Sequence, residues 1–272
     1  MKTLINILAL SSLIASCNPQ DPTPIPIPSG SCMVGKWSVL GGKPLNLKMS
    51  SEFEGDFTNG DMVNGLNPLE QVAHEWNQAI PGKIFFQVPF NLASTTGYPT
   101  VTEFKDAELG IYKSHTWFPN MSSQTLAITQ FYGVIKADTT LGKYIDLNHA
   151  DIIVNYRDFG ASLSSDLPTP NGFYDLPTIL IHEMGHFLGL CHDTVNDSIM
   201  QPYYNSTQRA LKPYDKFLIH DLYVNNHIPP SKGKSGYGEL PVPVGTPVRG
   251  VIELNANGKC LHYVEGKLVY EH

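Results

Sequence analysis

Residues 182 to 192 read HEMGHFLGLCH and combine metal-binding and acid–base side chains at a regular spacing. His182 and His186 are four positions apart, so on a helix their imidazoles share one face and can bind the same ion. Zinc accepts imidazole nitrogen as a ligand, commonly in a tetrahedral site. Glu183 follows the first histidine and is placed to act as general base on a zinc-bound water. The pattern therefore predicts hydrolytic chemistry at a Zn²⁺ site.

The third histidine of this stretch, His192, requires a bend in the chain. On a continuous helix it would lie about 15 Å along the axis from His182, too far away to share an ion. Gly189 lies between the second and third histidines, and glycine readily adopts the left-handed conformation that ends a helix. We therefore expect the helix to end near Gly189 and the chain to turn back, so that His192 becomes the third ligand.

The spacing H-E-x-x-H-x-x-G-x-x-H resembles the signature of the metzincin zinc endopeptidases. Ser198-Ile199-Met200 follows it and is similar to their methionine turn, an apolar floor below the metal. Among metzincins the chain is most similar to the matrixins (matrix-metalloproteinase-like enzymes), because Gln201-Pro202-Tyr203-Tyr204 resembles their Met-x-Pro-x-Tyr pocket wall. The resemblance implies a catalytic Glu183, the zinc ligands His182, His186 and His192, the Met-turn residue Met200, and the substrate-pocket residues Pro202, Tyr203 and Tyr204.

The same resemblance implies the fold and the reaction. The fold class is α+β (mixed α/β): a twisted, mostly parallel sheet with an active-site helix and a C-terminal helix, followed by a small C-terminal β meander. The reaction is hydrolysis of peptide bonds in extracellular or surface proteins by a zinc-bound water and Glu183. An extended substrate would pair with a strand at the edge of the cleft, with Leu126–Phe131 and Asp151–Tyr156 as the candidate strands.

The sequence departs from the matrixin pattern at two places. Asp193 follows the third histidine, where matrixins usually have serine; aspartate there is similar to the adamalysin branch, in which it braces the methionine turn. The loops that hold structural Ca²⁺ or a second Zn²⁺ are not recognisable, so these ions are possible cofactors without support. His115, His149 and Asp151 are the candidate ligands for such a second site.

Local patterns predict the elements that position the motif. Asn67-Pro68-Leu69-Glu70 combines a cap, a first-turn proline and a capping box, which indicates a helix that runs to Pro81-Gly82. Asp175 caps a second helix that carries the motif. A third helix is expected over 214–224, with Tyr214, Phe217, Leu218 and Leu222 buried. Lys83–Val88 is predicted to be a strand, as are the two segments named above.

The N-terminus has the features of an export signal. Lys2 precedes an apolar run that is too short to span a bilayer, and the run ends in Ala15-Ser16-Cys17, which resembles the lipobox of bacterial lipoproteins. A plain secretory signal with a chance cysteine is the alternative. The lipobox implies lipidation of Cys17 and anchoring in a membrane of the bacterial cell envelope, at the outer membrane or cell surface. Outside the cytoplasm, Cys32, Cys191 and Cys260 permit one disulfide, whose pairing the sequence leaves open.

Composition and length divide the chain into regions. We expect a signal peptide at 1–16, a lipidated proline-rich tether or short pro-segment at 17–34, a metzincin-like catalytic domain at 35–226, and a linker with a small β extension at 227–272. In a pro-segment, Cys32 or Asp21 would reach the zinc.

Composition also limits the partners. The net charge is -7, and no Lys/Arg-rich cluster occurs, so nothing in the sequence indicates a nucleic-acid footprint. A monomer that acts on protein or peptide substrates is expected. One alternative is a non-catalytic zinc-binding or adhesive surface lipoprotein on the same fold, against which Glu183 argues because zinc binding alone does not need it. Another is a peptidase whose residues 248–272 bind a partner.

Overall fold

The computed structural model describes residues 34–38, 42–119, 121–163, 173–204, 207–227, 243–256, 261–264 and 267–271, with side chains up to residue 256. The predicted signal peptide, Cys17, Cys32, most of the proline-rich tether and most of the C-terminal linker lie outside these residues, as does Cys260. Within the described ranges, no helix is both long and apolar enough to cross a bilayer.

The described residues form three α-helices, and two of these begin where the sequence predicts. Helix α1 spans Pro68–Asn77, α2 spans Leu176–Phe187 and α3 spans Pro213–His220. Asn67 Oδ1 accepts hydrogen bonds from the backbone N–H groups of Leu69 (2.9 Å) and Glu70 (3.0 Å), and Glu70 bonds back to Asn67 N, which completes the capping box. Asp175 caps α2 by accepting from Thr178 N at 3.0 Å.

A nine-stranded sheet forms the main layer of the molecule. In chain order the strands are β1 (Gly35–Lys36), β2 (Leu47–Met49), β3 (Asn91–Leu92), β4 (Leu109–Ser114), β5 (Thr125–Asp138), β6 (Gly142–Asn155), β9 (Pro247–Asn255), β10 (Leu261–Val264) and β11 (Lys267–Glu271); β7 (Gly160–Ser162) and β8 (Phe173–Asp175) form a separate pair. The order across the sheet is β11-β10-β9-β5-β6-β4-β2-β3, with β1 also paired to β6.

The sheet is mixed, which refines the expected mostly parallel arrangement. Strands β1, β2, β3, β4 and β6 form parallel ladders, whereas β5 runs antiparallel to β6 in a long hairpin. Strands β9, β10 and β11 continue the antiparallel part, and β9 pairs directly with β5. The expected C-terminal meander is therefore an extension of the main sheet.

Two local predictions are wrong. Lys83–Val88 is not a strand: it makes a single bridge, between Leu45 and Phe86, and the side chain of Asn77 accepts hydrogen bonds from Phe85 N and Phe86 N. The helix expected over 214–224 is present, as α3 up to His220 and a π-helical turn over Asp221–Asn225, but one residue of its expected buried stripe is exposed. Phe217 is 51% exposed, because the face of α3 that packs on the domain carries Leu218 and Ile219 instead.

The larger hydrophobic core lies between the sheet and helices α1 and α2. Trp76 of α1 is fully buried, and its indole N–H donates to the carbonyl of Ile181 in α2 at 3.1 Å. This contact fixes the position of α2 against α1 at a residue two positions before Glu183. The opposite face of the sheet carries a smaller aromatic cluster that includes Phe104, Trp117 and Phe118.

Candidate metal centre and cleft

The three histidines of the motif converge on one point. The Nε2 atoms of His182 and His186 are 2.9 Å apart, and those of His192 lie 3.1 Å and 3.0 Å from His182 and His186. All three rings are almost completely buried. In the part of the chain that the structure describes, this is the one group of three His, Cys, Asp or Glu side chains close enough to share a metal ion.

The protonation of the rings supports a metal-binding role. His182 Nδ1 lies 2.7 Å from the carbonyl of Ile199, and His186 Nδ1 lies 2.8 Å from the carbonyl of Leu190. Because a carbonyl only accepts, each Nδ1 carries the proton and each Nε2 presents a lone pair to the centre. Burial lowers the pKa of His182 to about 4, which keeps that ring neutral. Acceptor nitrogens that face each other at about 3 Å need a cation between them, so the residues fit zinc.

Gly189 provides the bend that brings His192 back. Its φ is +95°, in the left-handed region, and its carbonyl accepts from Gly35 N at 3.0 Å. A Cβ at this position would stand 2.0 Å from the carbonyl oxygen of Gly35. Position 189 therefore requires glycine for two reasons: the backbone conformation is left-handed, and strand β1 approaches closely. The sequence predicted the bend, but only the structure shows the contact with Gly35.

Glu183 is completely buried on α2 and faces strand β5. Its Oε2 accepts a 2.5 Å hydrogen bond from the hydroxyl of Thr129, while Oε1 has no hydrogen-bond partner among the described residues. Burial raises the pKa of Glu183 to about 8; the bond from Thr129 opposes this rise and the charge of Glu253 adds to it. A buried carboxylate with one oxygen unpaired and a raised pKa has the properties of a general base. No motif in the sequence singles out Thr129 as the partner of Glu183.

Met200 lies directly below the metal-binding turn of α2. Its sulfur is 2.3 Å from the point that a Cβ on Gly185 would occupy, so the glycine between the two helical histidines makes room for the thioether. Met200 is fully buried. This is the floor position that the resemblance implies, and it explains why a residue without a side chain stands at position 185.

The carboxylate that braces the turn belongs to Asp215 rather than Asp193. Asp215 in the first turn of α3 accepts from Ser198 Oγ at 2.5 Å and from Ile199 N at 3.2 Å. The Asp193 carboxylate instead accepts from Val195 N and Asn196 N in its own loop, both at 2.8 Å. The role implied for Asp193 by similarity to adamalysins is therefore corrected, although its backbone N–H does bond to the carbonyl of Met200.

The expected pocket wall borders a small cavity beside His182. Tyr203 and Tyr204 line it together with Ile199, and Leu254 of β9 closes another side. Pro202 is buried but is not among the lining residues. The hydroxyl of Tyr204 accepts from Asp175 N at 3.3 Å, which directs it to the start of α2 rather than to a reacting carbonyl.

Comparison with known proteins agrees with this geometry. The family model for matrixins, peptidase M10, matches residues 59–224. This chain belongs to the matrixin family of metalloendopeptidases. Karilysin from Tannerella forsythia is 43% identical over 187 residues, which cover 61% of this chain and 37% of the length of karilysin. The matched part of the matrixin domain runs from the turn before α1 to the π-helical turn after α3.

Only two of the three candidate ligands for a second metal, His149 and Asp151, meet in this matrixin. His149 Nε2 lies 2.7 Å from Asp151 Oδ2 and 2.8 Å from the carbonyl of Phe104. The Asp151 carboxylate also accepts from Gly110 N and Gln130 Nε2. His115 is 57% exposed and lies 3.7 Å from Glu52 instead. The buried pair is thus a hydrogen-bonded part of the fold, and the described residues do not bring the three candidates together as a second metal site.

Cys191, within the motif, is buried and disulfide-bonded. Cys17, Cys32 and Cys260 all lie outside the described residues, so its partner does too. A cross-link at the residue before His192 limits the conformations that the unfolded chain can adopt around this ligand.

Proposed function

We propose that this matrixin is a zinc-dependent endopeptidase in which His182, His186 and His192 hold Zn²⁺ and Glu183 acts as general base. The observation that carries the proposal is the convergence of three Nε2 atoms within about 3 Å of one another. The buried carboxylate of Glu183 stands beside them, since Glu183 directly follows His182 on α2. Zinc binding alone would not require that carboxylate.

The chain's own groups account for the proton transfers. Bound zinc supplies a Lewis acid that polarises a peptide carbonyl and lowers the pKa of water. Glu183 takes a proton from the attacking water and passes it to the leaving amine nitrogen, and Thr129 fixes the orientation of its carboxylate. The Oε1 atom of Glu183 has no hydrogen-bond partner among the described residues, so it is available to accept this proton.

The substrates are proteins or peptides bound in extended form. Strand β5 has one edge paired with β6. Its other edge, which β9 covers in this structure, passes the metal centre and is the edge with which a substrate would pair by backbone hydrogen bonds. The side chain that follows the scissile bond would enter the cavity beside Tyr203 and Tyr204. Export and lipidation at Cys17 would place the enzyme in the cell envelope as a monomer that cleaves extracellular or surface proteins.

The test is chelator-sensitive cleavage by the purified, zinc-loaded chain on a mixed peptide library. Glu183→Ala should retain zinc but lose cleavage, because the metal ligands stay while the general base is removed. Glu54→Ala, at an exposed position, is the matched control and should behave as the unmodified chain. Cleavage by zinc-loaded Glu183→Ala would contradict the assigned role, and a chain that binds no zinc would contradict the proposal as a whole.

A further inference from the structure

Strand β9 covers the edge of β5 that the proposed function assigns to substrate. It pairs antiparallel with β5 from Val134, opposite Pro247, to Thr125, opposite Asn255. The covered stretch includes Leu126–Phe131, the segment expected to receive an extended peptide, and Thr129, which holds Glu183. The C-terminal part of the chain therefore makes the contacts that a bound peptide would make.

The end of β9 is held on both sides. Tyr204 N donates to the carbonyl of Asn255 at 3.0 Å, in a parallel bridge between Tyr203 and Asn255, and Ala256 N donates to the carbonyl of Gln124 at 2.9 Å. The strand thus lies between β5 and the segment that lines the cavity beside His182. Strand β9 runs antiparallel to β5 on one side and parallel to the segment at Tyr203 on the other. This is the position of a peptide bound along the cleft.

The side chains of β9 occupy both sides of the metal centre. Leu254 is 2% exposed and borders the cavity formed by His182 and the two tyrosines, whereas Ile252 is 6% exposed and borders a cavity with His186 and Gly189. Because alternate residues of a strand point to the same face, Ile252 and Leu254 both face the metal centre. The main chain at Glu253, between these two residues, therefore passes beside the three histidines. With this strand in place the histidines are only 2–4% exposed, and Glu183 is fully buried.

Gly250 allows the strand to lie flat. A Cβ at this position would stand 2.2 Å from Cζ of Phe131, on the same face as Ile252 and Leu254. The stretch before the strand, from Pro229 to Pro247, is rich in Pro, Gly and Ser. Because β9 belongs to the same chain as the cleft, it competes with substrate at a high effective concentration.

We propose that Pro247–Asn255 is an intramolecular competitive inhibitor: it occupies the substrate cleft, and the enzyme becomes active when this strand leaves β5. The inference rests on the proposed function, since it concerns the regulation of that same site. It accounts for the closed metal centre, for the burial of Leu254 at the cavity and for the glycine opposite Phe131.

The test compares zinc-loaded full-length variants on a short peptide substrate. Leu254→Ser empties the side-chain position at the cavity, and Gly250→Ala prevents close seating on Phe131. Each should raise kcat/KM by roughly ten-fold or more, mainly through a lower KM. For Leu254→Ser the reason is that a buried leucine side chain contributes about that factor to binding. For Gly250→Ala the reason is the collision of the new methyl group with Phe131. Val244→Ser makes a comparable apolar-to-hydroxyl change just before β9, at a side chain 58% exposed, and should stay within about two-fold of the unmodified chain.

A peptide added in trans gives a second, independent measurement. The synthetic peptide PVRGVIELNA, residues 247–256, should inhibit the Leu254→Ser enzyme competitively. The same peptide with serine for leucine should inhibit at least ten-fold more weakly. Failure of the first peptide to inhibit an active variant would overturn the proposal, as would an unmodified chain already as active as the variants.

Hydrogen exchange separates the two possible failures. Release of β9 should increase exchange of the amides in Thr125–Val134. Faster exchange without chelator-sensitive cleavage in any zinc-loaded form would contradict the proposed endopeptidase activity. Cleavage at equal rates in all forms, with these amides protected throughout, would instead show β9 to be a permanent strand and would refute inhibition while the endopeptidase stands.

Discussion

The carboxylate of Asp215, in the first turn of α3, accepts a 2.5 Å hydrogen bond from the hydroxyl of Ser198 in the methionine turn. The same carboxylate accepts from Ile199 N, and the carbonyl of Ile199 in turn faces Nδ1 of His182. A C-terminal helix is thereby coupled to a metal-binding ring through a single residue. Groups that orient a ligand in this way affect metal affinity without touching the metal.

Asp215→Asn should weaken both zinc binding and stability. The amide NH₂ of asparagine would face Ile199 N or Lys212 N, both of which donate to the carboxylate in the present structure. We expect a loss of about 1–3 kcal/mol in the free energy of unfolding and a roughly ten- to hundred-fold weaker zinc affinity. Urea unfolding and chelator competition measure the two effects. Asp197→Asn, at a side chain 80% exposed in the same loop, is the control and should change neither.

Gly189→Ala should disrupt the bend between the second and third histidines. A positive φ costs a non-glycine residue about 1–2 kcal/mol, and here the new Cβ would also collide with the backbone of Gly35. We expect a destabilisation of about 3 kcal/mol or more and loss of stoichiometric zinc. Gly82→Ala is the matched control, since Gly82 has φ +76° but open space around its Cβ position. Equal effects at the two positions would show that the contact with Gly35 is unimportant.

Thr129→Val should reduce the chemical step while leaving substrate binding intact. Valine has the shape of threonine but lacks the hydroxyl that donates to Glu183 Oε2, and the backbone of β5 is unchanged. A hydrogen bond to a charged group of this kind corresponds to a fall of roughly ten-fold in kcat with little change in KM. Steady-state kinetics on a peptide substrate measure both constants. Thr140→Val, exposed in the β5–β6 turn, should retain the original values; a rise in KM alone would point to a substrate-binding role for Thr129.

Removal of zinc should lower thermal stability reversibly. A ligand that binds only the folded state adds about 2.7 kcal/mol to the free energy of unfolding at a concentration of 100 times its Kd. Here the ion would also remove the repulsion between the lone pairs of three buried imidazoles. Calorimetry with chelator and then with excess zinc measures the effect. His192→Ala should lose most of this response, whereas His74→Ala, on the exposed side of α1, should keep it. An unchanged melting temperature on zinc addition would argue against a metal at this centre.

Several features of the site were predictable from the sequence because they are encoded over short distances. The i, i+4 spacing of His182 and His186 places two rings on one helix face, and Gly189 supplies the only backbone conformation that returns His192 to them. The caps at Asn67 and Asp175 likewise depend on groups within three residues of each other. Each of these follows from local geometry, so a pattern of residue types is sufficient to reveal it.

The sequence by itself thus determined the three imidazoles, the neighbouring carboxylate and the start of the helix that carries them. Only the tertiary structure decided that Asp215 rather than Asp193 braces the methionine turn, that Thr129 holds Glu183, and that β9 lies on β5. The reason is physical: pairing between distant strands depends on backbone groups that every residue possesses, and on side-chain contacts that form only after the chain has closed a long loop. No local spacing records which edge of a sheet a later strand will cover.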